Sequence, residues 1–97
     1  MEKDWEFIKS SIEAILNSVS HKLERSLIEQ VLHYIEHDEF EMAFEILFIE
    51  LMNTKHLPLL DYKKSRQIGE LLELDKETIF DPSFWEKFID FTSIRNT

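Results

Sequence analysis

One glycine and two prolines punctuate a chain of 97 residues. Sheet-rich folds place glycine, asparagine or aspartate at their tight turns, where the backbone takes positive φ. A chain this poor in glycine has few places to reverse a strand, so it is expected to be all-α: long helices joined by a handful of turns. The length suits one domain, since single cores form in roughly 50 to 200 residues. Hydrophobic residues make up 43% of the chain and eight of them are Phe, enough for a buried core and too much for a disordered segment. The expectation is a single helical domain over residues 1–97, a compact bundle of four to five helices.

Apolar spacing locates the helices. Trp5, Ile8, Ile12, Ile15, Leu16 and Val19 recur at the i, i+3/i+4 interval of an amphipathic helix over 4–19, with Asp4 as N-cap. Ser20 is expected to open a second helix, apolar through Leu23, Leu27, Ile28, Val31, Leu32 and Ile35 and polar through Lys22, Arg25, Glu29, His33 and Glu36. His37-Asp38-Glu39 interrupts the pattern, and Asp38 with Glu41 three residues on reads as a capping box for the next helix. That helix, 39–53, is apolar on two sides: Phe40, Ala43, Phe44, Leu47, Phe48 and Leu51 on one, Met42, Ile46 and Ile49 on the other. A helix of this kind sits between neighbours, with Glu41, Glu45 and Glu50 as its wet positions.

Residues 53–58 are a connection, and a fourth helix is predicted over 60–73. Gly69 inside it lowers helix propensity by roughly 1 kcal/mol or marks a close packing point. Residues 74–80 form a turn or a 3₁₀ segment. Asp81-Pro82, an N-cap followed by proline at the first helical position, starts a last helix over 83–92. It carries Phe84, Trp85, Phe88, Ile89 and Phe91, and the tail 93–97 is expected to fray. Trp5 and Trp85 are expected in the core. Tyr34 and Tyr62 stand evenly between core and interface, where aromatic side chains serve as anchors.

Net charge is −9 and there is no cysteine, which excludes disulfides and thiolate chemistry. Direct nucleic-acid binding would work against that field, whereas a basic protein would be steered by it. The acidic start of the chain lacks the basic-then-apolar pattern of a secretory signal, and no apolar run approaches the roughly 20 residues of a membrane span, so a cytoplasmic protein without membrane contact is expected. The acids cluster. Glu36, Asp38, Glu39, Glu41, Glu45 and Glu50 fall within 36–53 without a Lys or Arg; 54–69 is net basic; Glu70, Glu73, Asp75, Glu77, Asp81 and Glu86 oppose only Lys76 within 70–86. Capping and solubility account for single acids. Two dense blocks repel themselves, and a basic partner would offset that.

Catalytic signals are weak. His33-Tyr34-Ile35-Glu36-His37 matches the inverted zinc-protease pattern H-x-x-E-H. Its three fixed positions carry little information, and a zinc peptidase needs a third ligand and a cleft that so short a chain can hardly enclose. Solvent-facing histidines near a helix end are the better reading. No glycine-rich phosphate loop or nucleophile elbow is present. A binding protein without cofactor or metal is expected, not an enzyme.

The segment Ile35-Glu36-His37-Asp38-Glu39-Phe40-Glu41-Met42-Ala43-Phe44-Glu45-Ile46-Leu47 resembles one found in small bacterial immunity proteins of the colicin D, MafI and contact-dependent-inhibition (CdiI) types. There a helix ends, an acidic turn follows, and an aromatic-x-x-Ala-x-x-x-Leu helix begins. The resemblance implies an inhibitor that binds the C-terminal domain of a toxin, often a basic nuclease acting on tRNA or DNA, in a 1:1 complex. Carboxylates would then occupy positions the toxin uses for phosphates. From charge clustering, the candidate partner-binding residues are Glu36, Asp38, Glu39, Glu41 and Glu45, followed by Glu70, Glu73, Asp75 and Asp81. The alternative is an acidic helical adaptor or regulatory subunit binding through an apolar groove. The stripe Met42, Ile46 and Ile49 discriminates: exposed, it favours the groove; buried, it leaves the acidic surface.

Overall fold

Five α-helices run α1 (Trp5–Val19), α2 (Arg25–Glu36), α3 (Phe40–Met52), α4 (Tyr62–Leu71) and α5 (Phe84–Arg95) in a computed structural model that describes residues 3–95. Among the described residues there is no strand, and no helix is long and apolar enough to cross a membrane. All five helices feed one hydrophobic core.

The core is built on α3, which packs against α1, α2 and α5 as its two-sided apolar pattern predicts. Phe44, Phe48, Phe84 and Phe88 are fully buried. Phe88 meets Phe44 and Phe48 edge-on at 5.6 and 5.1 Å and stacks on Phe84 at 5.5 Å. Such geometries suit the positive edge and negative face of aromatic rings. On the other side of α3, Ile46 and Ile49 are partly buried against the core, and Met42 is half-buried. The second stripe is therefore partly covered, and a cleft between α3 and α5 lined by Ile49, Met52 and Phe91 stays open at one end of it.

The helix starts show which sequence signals prevail. Asp4 caps α1 by accepting the Phe7 N–H at 3.0 Å, and Asp61, unmarked by apolar periodicity, caps α4 through the Lys64 N–H at 2.9 Å. Ser20 does not open α2. It stays in helical conformation, donates its hydroxyl to the Asn17 carbonyl, and leads a 3₁₀ turn over Ser20–Lys22. The chain straightens only at Leu23, so α2 begins at Arg25. Asp81 accepts the Ser83 N–H at 2.8 Å, a turn that delays α5 to Phe84. The last helix also runs beyond the expected end at 92, with Ser93–Arg95 helical; the remainder of the tail, 96–97, lies outside the described residues.

Gly69 marks a close packing point. A Cβ there would lie 2.8 Å from Trp85 Cζ3 and 3.4 Å from Phe88. Tyr62 is buried in the core, and Trp85 is half-buried over this gap at the core's edge. Trp5 departs from its expected place in the core. It is 45% exposed at the first position of α1, stacked on Phe40 at 5.8 Å with the Lys3 ammonium 5.5 Å from its ring.

Candidate partner-binding surface

The first acidic block is organised by the end of α2. Asp38 adopts φ 57°, and two backbone bonds close the turn: its own N–H to the Ile35 carbonyl at 3.1 Å and the Glu39 N–H to the Tyr34 carbonyl at 2.8 Å. This is the Schellman arrangement, in which the left-handed position is usually glycine. Aspartate tolerates left-handed backbone better than most side chains. The capping-box expectation is overturned here: Glu39 is the residue before α3, and its side chain makes no cap bond. Glu36 and Asp38 are exposed, and Glu39 and Glu41 are half-buried. Among the described residues none of the four has a side-chain hydrogen bond or a salt bridge. The positive end of the α3 dipole offsets part of their repulsion and uses none of their side-chain acceptor capacity.

Glu45 does not belong to this surface. Its side chain is fully buried, although the sequence places it one turn from Glu41 on the same face. The carboxylate accepts three successive backbone N–H groups, from Ile79 at 2.7 Å on Oε1 and from Phe80 and Asp81 at 2.8 Å on Oε2. A buried carboxylate survives only when such bonds replace its water. The segment between α4 and α5 supplies them, so Glu45 is a structural clasp inaccessible to a partner. Nothing local in the sequence signals this, because the donors lie 34 to 36 residues away.

The second block is partly consumed within the fold. Glu73, at φ 61°, ends α4 in the same Schellman geometry, with Glu73 N–H to Glu70 and Leu74 N–H to Gly69. Lys3 and Lys76 reach its carboxylate at 2.9 and 3.3 Å and hold the carboxyl below its ordinary 4.5; the Lys3 hydrogen bond is the largest cause. Asp81 pairs with Lys87 at 2.8 Å and is likewise held below its ordinary 3.8, first by that bond and then by the Ser83 N–H. Glu70 and Asp75 are exposed without such partners among the described residues.

Two relays of contacts link parts of the two blocks. Phe40 leads through Trp5 and Lys3 to Glu73, and Tyr34 lies 6.2 Å from Phe80, next to the Glu45 clasp. A cleft of about 380 Å³ lined by Trp5, Glu6, Lys9, Asp38 and Phe40 opens at the turn. The apolar members of this surface, Trp5, Ile79 and Phe80, were not legible as exposed positions, because their residue types are those of a core. His33 and His37 are exposed on the last turn of α2 and just past it, rings 4.4 Å apart. Among the described residues no group of three or more His, Asp or Glu side chains is placed to hold a metal ion.

No family model, curated protein or solved structure matches the chain.

Proposed function

We propose that this chain is an immunity protein that binds and neutralises a basic toxin domain, a nuclease in the first instance, through the acidic surface at the α2–α3 turn. The observation that carries the reading is the set Glu36, Asp38, Glu39 and Glu41, four carboxylates around one turn that make no salt bridge among the described residues, with Lys9 across the adjoining cleft from Asp38. A phosphate-binding toxin site lined with Lys and Arg is its electrostatic complement. The second block contributes less, since Glu73 and Asp81 already hold lysines. The partial burial of Met42, Ile46 and Ile49 favours the acidic turn over the apolar groove that an adaptor would use.

The test is capture from a bacterial lysate with the chain as bait, washed at low and then high salt, followed by co-expression of the recovered domain with and without the bait. The expected result is a basic domain that arrests growth alone, is silenced by the bait, and elutes with salt. Reversing Asp38, Glu39 and Glu41 to Lys is expected to weaken binding by about 10- to 100-fold, chiefly in association rate. A salt-insensitive, non-basic partner would replace this reading with that of a helical adaptor.

A further inference from the structure

The loop between α4 and α5 presents a feature that the core does not need. Ile79 and Phe80 are 46% and 43% exposed, two large apolar side chains adjacent in sequence and turned to solvent. Their backbone is far from loose: the N–H groups of Ile79, Phe80 and Asp81 all converge on the buried Glu45 carboxylate, and Thr78 donates its hydroxyl to the Asp81 carbonyl at 2.7 Å. Burying a carboxylate carries a desolvation cost. Here that cost fixes a segment whose apolar side chains leave nearly half of their surface in solvent. Apolar groups held rigidly at the surface lose little entropy when they are covered, which is the physical profile of a binding anchor.

The surroundings indicate what covers them. The Phe80 ring lies 6.2 Å from that of Tyr34, whose backbone carbonyl receives the Glu39 N–H, so Phe80 stands beside the end of α2 that leads into the acidic turn. Glu77, two residues before Ile79, is also exposed. The matching surface on a partner is an apolar pocket rimmed by Lys or Arg. We infer that Ile79 and Phe80 are the apolar anchor of the acidic interface, that Glu45 is the positioning residue behind them, and that the occupant is a basic protein surface carrying an apolar pocket. This inference rests on the reading of the α2–α3 turn as a receptor for a basic partner.

The test uses the full chain, isotope-labelled for NMR, and two synthetic peptides of equal positive charge: an amphipathic Lys/Leu helix and a Lys/Ser peptide. The Lys/Leu peptide is expected to bind more tightly, with its largest shifts at Tyr34, Ile79 and Phe80. Phe80→Ala should weaken it by about tenfold while leaving the Lys/Ser peptide unchanged. Equal binding of the two peptides, shifts centred on exposed Leu59 in the α3–α4 loop, or self-association through Phe80 in place of peptide binding would each overturn the anchor. Glu45→Gln, with helical content and the Phe44, Phe48 and Phe88 ring signals preserved, should lose amide-exchange protection at 79–81 and lose Lys/Leu affinity together. Full affinity with unprotected amides would overturn the positioning role. Growth protection is a separate readout: a chain that binds the Lys/Leu peptide through Phe80 and silences no toxin overturns the immunity reading and leaves the anchor standing.

Discussion

At the end of α2 and at the end of α4 the chain solves one geometric problem in one way. Both helices close with a Schellman turn, and both place an acid, Asp38 or Glu73, in the left-handed position. The two turns then diverge. Around Glu73 the charge is answered from inside the molecule: Lys3 and Lys76 hold its carboxylate, Lys87 holds Asp81, and the backbone of 79–81 is held by Glu45. Around Asp38 no salt bridge forms among the described residues, although Lys9 lines the same cleft, and Glu36, Glu39 and Glu41 are likewise unbridged. Acid density along a sequence therefore does not measure free charge. What matters is how much acceptor capacity the fold leaves unspent, and on that measure the α2–α3 turn is the stronger candidate surface.

The largest effect that would break this contrast is at Glu45. Glu45→Ala strips the acceptor from three converging N–H groups and leaves a void beside α3, and about 3 kcal/mol of stability should be lost. Glu36→Ala, an exposed position, should change stability by no more than about 0.5 kcal/mol. Urea unfolding of the two variants decides the matter. If Glu45→Ala unfolds at the same midpoint as Glu36→Ala, the clasp contributes nothing and Glu45 returns to the list of surface acids.

Glu45 also shows where reading the sequence stops. The helices were legible because apolar residues at the 3.6-residue period gather on faces that must be buried, and Ile8, Ile12, Leu16 and Val19 or Phe44, Leu47, Phe48 and Leu51 are buried as their spacing requires. Leu32, by contrast, stays 39% exposed on the apolar face of α2. The central place of α3 followed from its two apolar sides. Glu45 carries the same periodic signature as Glu41, and only the arrival of segment 79–81 makes one of them internal. Asp38 failed for a different reason: D-x-x-E is a helix-start pattern, but aspartate is also among the few side chains that accept left-handed backbone, and the preceding helix claimed it. Trp5 departs from its periodic expectation because periodicity ignores the helix end, where it stacks on the Phe40 ring and stays 45% exposed. The acidic surface itself was visible as composition; the apolar pair beside it was not.

Glycine substitutions sharpen the comparison at the backbone. Asp38→Gly relieves left-handed backbone and removes a side chain with no partner among the described residues, so a gain of about 0.5–1 kcal/mol is expected. Glu73→Gly relieves the same backbone cost but gives up the contacts to Lys3 and Lys76, exposed pairs of the kind that contribute about 0–1 kcal/mol. Asp38→Gly should therefore raise Tm more than Glu73→Gly. Equal gains would mean that the lysines add nothing at Glu73 and that the two turns differ in appearance only.

The smallest expected effect is the pH dependence of the second block. Glu73 and Asp81 are held below their ordinary values of 4.5 and 3.8 by lysine hydrogen bonds that exist only in the folded chain. On acidification the unfolded chain takes up these protons first, so it binds more protons than the folded chain through this window, and stability rises with pH there. The contribution is fully present above 4.5 and is lost as pH falls through the lowered folded values. Glu73 is exposed and Asp81 only half-buried, so the effect is modest and shrinks with added salt. Glu73→Gln and Asp81→Asn should each lower Tm slightly near neutrality and flatten its decline below pH 4.5, the curves converging with the parent chain at the acid end. Melting curves in low and high salt read this directly. A decline parallel to that of the parent chain would show that the lysines do not discriminate folded from unfolded carboxylates, and the second block would then count as available to a partner on the same footing as the first.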